Sequence, residues 1–353
     1  MGRASRSVGG VTGKIPPMPS VILSQLDSFG PERCRQVDYE EAAQFTRRLA
    51  LGHTENFTVV SWLLPQRLRE DFRNIYAFCR SADDLGDETG DPQRSLELLE
   101  WWRRELELCY ADRPRHPVYV ALQRTIGRHD IPRKPFEDLI DAFVQDQTVT
   151  RYDTFDQVLD YCTRSADPVG RLVLYILGFS DKQRQELSDA TCTALQLANF
   201  WQDVRRDILE RDRVYMPRDV AGAHALDLDT MVAAVRADDP GAGSNGCCGT
   251  RVPSAGIRAV LPTYRKTVQD LVDRTWRLFE TGRGLWPLVP PDVRVDVALF
   301  SRGGESILRL VERLDYNTLQ TRPTVSRSRK AGLLLQAAVG RMVAGARRQH
   351  ERN

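Results

Sequence analysis

Apolar and polar positions recur at helical spacing along most of the chain. From Gln66 to Leu85 there is no Gly or Pro, and Leu68, Phe72, Ile75, Tyr76 and Cys79 fall at steps of three and four. That spacing predicts a helix with one buried face. Asp91-Pro92 reads as a helix start, continued by "QRSLELLEWWRRELELCY", and Pro135 opens a second, "FEDLIDAFVQDQTV". "TFDQVLDYCTRSADPVGRLVLYILG" predicts one or two more, interrupted near Pro168 and Gly170. Ser180 to Tyr215 has neither Gly nor Pro and predicts a long helix, broken once near Ser188-Asp189. Helical texture returns in "IRAVLPTYRKTVQDLVDRTWRLFE", "ESILRLVERLDY" and a last, basic "RKAGLLLQAAVGRMVAGARR". Period-two alternation is nearly absent and there is no repeat of fixed period. The expected fold is all-α, a single helical domain over residues 31–353. A tail at 1–30, whose first twenty residues are basic, acid-free and rich in Gly and Ser, is expected to be disordered, and the composition of 236–256 predicts a flexible loop.

The bulk numbers narrow this little. A chain of 353 residues with 41% hydrophobic content can bury a sizeable core. Fifty basic against 48 acidic residues leave a net charge of +2, which gives no basis for a nucleic-acid partner. The seven cysteines are scattered and lack paired CxxC spacing, so a zinc site is not indicated and a reducing, cytoplasmic setting is expected. No apolar run reaches membrane-spanning length, and the first twenty residues lack the apolar stretch of a signal peptide. The basic last helix is suited to peripheral contact with an anionic membrane.

Two acidic lines change the picture. Asn199, Asp203 and Asp207 are spaced by four and share one helix face, and so do Asp83 and Asp87, with Asp84 and Glu88 beside them. Phe200, Trp201 and Val204 flank the second line, so exposing it would expose them. Buried carboxylates are costly unless paired or metal-bound, and close ones repel each other. Mg²⁺ prefers oxygen ligands, typically one or two carboxylates with waters and substrate phosphates. Two such lines facing one another would suit Mg²⁺ around a diphosphate, whose departure the metal eases. Asn199 would add a ligand without adding repulsion.

The stretches "FCRSADDLGDE", "YCTRSADPVGRLVLYILG", "QLANFWQDVRRD" and "RVYMP", in that order, resemble the squalene/phytoene synthases. The resemblance runs from His53 to Arg329. It implies the all-α isoprenoid synthase bundle with a central cavity, and Mg²⁺-dependent chemistry on prenyl diphosphates. "ENFTVVSWLLP" and "NFWQDV" are similar to the bacterial hydroxysqualene synthases of hopanoid biosynthesis, which ionise presqualene diphosphate, rearrange the cation and quench it with water.

By the same resemblance, Asp83 and Asp87 match the first metal-binding set, and Asn199, Asp203 and Asp207 the second. His53, Tyr76, Arg80 and Gln196 stand where the family contacts diphosphate, and a guanidinium fork suits that role. Tyr161 matches a tyrosine beside the reacting carbons, which with Asp83, Asp87 and Asp203 makes the expected catalytic set. Arg213 and Tyr215 match a segment near the site, one toward phosphate, the other shaping the pocket. Phe57, Phe78, Phe200 and Trp201 are candidates for cation-stabilising faces. Many members carry Arg just before the second-line aspartate, where this chain has Gln202. Fewer cations suit an enzyme that ionises one diphosphate rather than condensing two, and there is no Gly-rich dinucleotide fingerprint after a strand. The expected substrate is therefore presqualene diphosphate. The alternatives are head-to-head condensation of farnesyl or other prenyl diphosphates to presqualene diphosphate, squalene or phytoene, and a helical protein that binds a lipid or a partner without turnover.

Overall fold

The structure, a computed structural model, describes residues 20–52, 66–239 and 254–324. After a 3₁₀ turn at Leu23–Gln25 come the short α1 (Leu26–Phe29) and α2 (Tyr39–Gly52). Then follow α3 (Arg69–Asp87), α4 (Pro92–Tyr110), α5 (Pro117–His129) and α6 (Lys134–Gln145). The chain continues through α7 (Phe155–Ser165), α8 (Asp167–Ile176), α9 (Lys182–Arg211), α10 (Arg218–Ala223) and α11 (Leu228–Ala237). It ends in α12 (Ala255–Gly282) and α13 (Pro291–Arg313). The described residues contain isolated β-bridges but no strand. None of their helices is long and apolar enough to cross a membrane.

Local chemistry sets the boundaries. Asp91 caps α4 by accepting from the Gln93 amide at 3.0 Å, with Pro92 at the first helical position. Thr154 and Gln157 form a reciprocal capping box at the start of α7. Asp181 caps α9, which ends at Asp212 in the left-handed region with φ of 52°. Ala166 alone separates α7 from α8, two residues before the expected Pro168.

Three sequence expectations are corrected. First, α9 is not broken at Ser188-Asp189. It runs for 30 residues, about 45 Å at 1.5 Å per residue. The polar pair is a helix contact: Asp189 receives the Arg171 guanidinium of α8 at 2.6 and 3.0 Å, and Ser188 lies buried under Gly170. Second, the tail does not extend to residue 30. Ile22 and Phe29 are buried with Phe45 in the core around α3, and the Ser20 hydroxyl donates to Asp84. Third, helices occupy both margins of the predicted 236–256 loop, since α11 reaches Ala237 and α12 starts at Ala255, while 240–253 lie outside the described residues.

Two large apolar cores and a smaller one organise the described residues. One large core gathers α2 to α6 with α8, the other α7 and α9 to α13. On the face of α3 toward α2 and α5, Asp71 accepts from Thr125 at 2.9 Å and Arg128 at 3.0 Å, with His129 Nε2 also 2.9 Å away. Asn74 donates to Thr125 and to the Ala121 carbonyl and accepts from Thr46. These bonds fix the rotation of α3 and hence the direction of its acidic line.

Close crossings hold α9 in place. A Cβ on Gly282 of α12 would lie 3.1 Å from both Cβ and the backbone N of Thr191 in α9. Gly282 is the last helical residue, so Ala gains little helix propensity there. Gly282→Ala is expected to cost about 1–3 kcal/mol by overpacking. The check is a lower denaturant midpoint at unchanged slope.

Candidate active site

The first acidic line is organised by Arg80. Its Nη1 lies 3.0 Å from Asp83 Oδ2, and its Nη2 lies 2.5 Å from Asp84 Oδ1 and 2.8 Å from Glu88 Oε1. Asp84 is fully buried, so the residue that sequence spacing set beside the line is the one most dependent on the guanidinium. Asp83 keeps a side-chain exposure of 40%, yet the protein around it, and next Asp87, push its carboxyl up to about 7 against the pull of Arg80. Tyr76 is half-buried one turn before Arg80.

The second line is graded rather than uniformly buried. Asn199 is exposed, Asp203 half-buried and Asp207 buried, with Gln196 half-buried one turn earlier. Burial, and then the Asp203 charge, raise the Asp207 carboxyl to about 7. Asp203 is held by Arg322, which follows α13 and approaches with Nη2 at 3.0 Å from Oδ2. Gln202 donates to the carbonyl of the next residue, Pro323, at 2.5 Å. Arg205 pairs with Asp238 at 3.0 Å and Arg206 with Glu210 at 2.8 Å. The inference that Gln202 leaves this line short of positive charge is therefore corrected: a cation arrives from the distant C-terminal segment.

The two lines are joined at their lower ends. Arg211, in the last turn of α9, lies 3.0 Å from Asp87 Oδ2, and Arg213 lies 3.1 Å from Oδ1. Arg213 is buried and continues inward, donating to the Asp146 carbonyl at 3.1 Å with Nη1 3.6 Å from Asp146 Oδ2. Tyr161 donates to the same Oδ2 at 2.9 Å. Burial drives the Tyr161 and Tyr215 hydroxyls well above their usual range.

An aromatic group closes this inner end. Phe200 stacks on Tyr215 with centroids 3.8 Å apart and planes within 7°. Tyr161 lies 5.8 Å from both Tyr152 and Tyr215 and 6.1 Å from Phe200. Two other aromatic expectations are corrected. Trp201 is fully buried and donates to Thr275 of α12 at 2.9 Å; Phe78 packs in the α3 core against Phe136 at 4.9 Å. His53 and Phe57 lie outside the described residues.

Among the described residues no three carboxylate, His or Cys side chains converge closely enough to hold a metal ion. Asp83, Asp87 and Asp203 are each clasped by arginine instead. The donor chemistry still fits a hard cation: every candidate ligand is an oxygen, and burial, then a neighbouring carboxylate, raises two of the carboxyls to about 7. Asp146, Arg211, Arg322 and Tyr152 were not picked out from the sequence. Asp146 stood in a recognised helix candidate, but no local pattern marks a carboxylate that meets a tyrosine fifteen residues on.

Carboxylate lines on two joined helices, each met by arginines, thus lie beside stacked aromatic rings in an all-α bundle. The chain belongs to the squalene/phytoene synthase family, whose pattern matches residues 51–243 and 251–329. It is 33% identical over 264 residues to a hydroxysqualene synthase of Rhodopseudomonas palustris, covering 74% of this chain and 80% of that one. It is 30% identical over 299 residues to a hydroxysqualene synthase of Zymomonas mobilis, covering 82% and 90%. The crystal structure of a squalene synthase, HpnC, from Alicyclobacillus acidocaldarius superposes with a TM-score of 0.67 at 40% identity, over 79% of this chain and 96% of that one. The enzyme thus works among prenyl diphosphate substrates.

Proposed function

We propose that the enzyme converts presqualene diphosphate to hydroxysqualene with Mg²⁺ as its metal. Its likeness to two hydroxysqualene synthases over most of its length supports this step. The observation that carries it is the double engagement of Arg213, which holds Asp87 of the first acidic line on one side and Asp146 beside the aromatic group on the other. A leaving anion and a persisting cation need those two unlike surroundings side by side.

The substrate C–O bond breaks and its electron pair leaves with the diphosphate. Asp83, Asp87, Asn199, Asp203 and Asp207 would hold Mg²⁺, which when bound neutralises charge on the departing group. Tyr76, Arg80 and Gln196 line the approach, and guanidinium forks suit phosphate oxygens. The faces of Tyr152, Tyr161, Phe200 and Tyr215 stabilise the rearranging cation without attacking it. Water then forms the new C–O bond and loses a proton.

Head-to-head condensation of two prenyl diphosphates is the second reading, favoured by the cation that Arg322 brings to Asp203. One assay separates them. Purified protein with presqualene diphosphate and Mg²⁺, without NADPH, is expected to make hydroxysqualene whose oxygen carries label from ¹⁸O-water. Efficient consumption of farnesyl diphosphate alone to presqualene diphosphate would favour condensation.

A further inference from the structure

Asp146 follows α6 and is 7% exposed. Its Oδ2 is committed to Tyr161, and its backbone carbonyl to Arg213. Its Oδ1 is buried with no hydrogen-bond partner. An unpaired buried carboxylate oxygen is expensive, and such groups in native structures call for an explanation. This one belongs to a carboxylate tethered to Tyr161, whose ring packs among Tyr152, Phe200 and Tyr215. Those hydroxyls are poor proton acceptors, since burial and nearby charge keep their protons on. Asp83, Asp87 and Asp203 are each held by arginine at the diphosphate end.

We propose that Asp146 is the proton acceptor for the water that ends the cation sequence, with Oδ1 holding that water and Tyr161 and Arg213 fixing the carboxylate. The inference rests on the hydroxysqualene reading. A water lone pair forms the C–O bond to the cation. The O–H bond breaks, its electron pair stays on oxygen, and the proton passes to Oδ1. Cation and water thus become neutral alcohol, and the carboxylic acid returns its proton to solvent as the product leaves. Burial raises this carboxyl to about 6, which leaves it mostly ionised at neutral pH and close to the operating range of a useful base. Tyr161 acts here as a positioning residue, because it donates to the carboxylate rather than to the water.

The test follows diphosphate release and product identity together, on presqualene diphosphate with Mg²⁺. Asp146→Asn keeps the shape and removes the acceptor. It is expected to release diphosphate within about tenfold of the wild-type rate while hydroxysqualene falls by about a hundredfold or more, the lower range for a placed acid or base. Hydrocarbons formed by proton loss should replace the alcohol. Asp146→Glu, which keeps a carboxylate, should recover part of it. An Asn variant with the wild-type share of hydroxysqualene overturns the proposal. So does a folded Asn variant that no longer releases diphosphate, because Asp146 would then act before the cation forms. Should the Asn protein not fold, Asp146→Ser decides: its hydroxyl can hold a water but not take up its proton, so the alcohol should fall as far with diphosphate release continuing, and a wild-type share of hydroxysqualene would overturn the proposal. Wild-type protein in the same assay tests the underlying reading. Its failure to make hydroxysqualene is a separate result from the failure of Asp146→Asn to lose it.

Discussion

Asp83→Asn and Asp203→Asn are each expected to cut turnover by about a hundredfold or more, the scale on which a lost electrostatic contact to developing charge acts. Both changes keep the side-chain shape and delete one charge of an acidic line. The lost ion pairs themselves should cost little stability. The ion pairs lost, to Arg80 and Arg322, are partly exposed, with the carboxylates 40% and 17% accessible. Pairs of that kind contribute about 0–1 kcal/mol. Asp83→Asn carries a further sign. Its folded-state carboxyl lies at about 7, above the ordinary carboxylate value, so its charge opposes folding once pH rises through that point. The Asn variant should therefore gain stability relative to wild type at pH 8 compared with pH 5. Far-UV circular dichroism and urea unfolding at the two pH values check the fold. Turnover near wild type at saturating Mg²⁺, in either variant, would remove that line from the chemistry.

The largest stability effect is expected from Arg213→Met. Arg213 is buried and faces two nearly buried carboxylates, Asp87 and Asp146. Removing one member of such a group strands the others, at about 3–5 kcal/mol. The loss should depend on pH in a defined direction. Arg213 lowers the Asp146 carboxyl against the rise caused by burial, and the result lies at about 6. Without the guanidinium that carboxyl moves higher. At pH 5 it is protonated in the folded state and the stranded charge disappears, whereas at pH 8 it persists. Destabilisation should therefore be greater at pH 8 than at pH 5. Urea midpoints at both values measure it, and equal losses at the two would show that Asp146 does not depend on Arg213.

Much of the helical order was legible because its causes are local. The apolar spacing of Leu68, Phe72 and Ile75 and the Asp91-Pro92 start act within a few residues. The same locality marked Asp83–Asp87 and Asn199–Asp203–Asp207 as lines on helix faces. Where local reading failed, a tertiary contact explains it. Ser188-Asp189 looked like a break because two polar residues in a row weaken a helix on their own, and they are kept helical by Arg171 and Gly170 of α8. Ile22 and Phe29 directly follow a stretch of tail-like composition, but both are buried in the α3 core.

The sequence by itself determined an all-α chain with two acidic lines, because periodicity and capping are set by neighbours three or four residues apart. Only the tertiary structure decided which cation meets which carboxylate. Arg322 reaches Asp203 across 119 residues, and Arg213 reaches Asp146 across 67. Gln202, next to Asp203 in the chain, holds the Pro323 carbonyl of that same segment. The physical reason is that consecutive residues on a helix project about 100° apart, so adjacency along the chain separates side chains that packing between distant helices brings together.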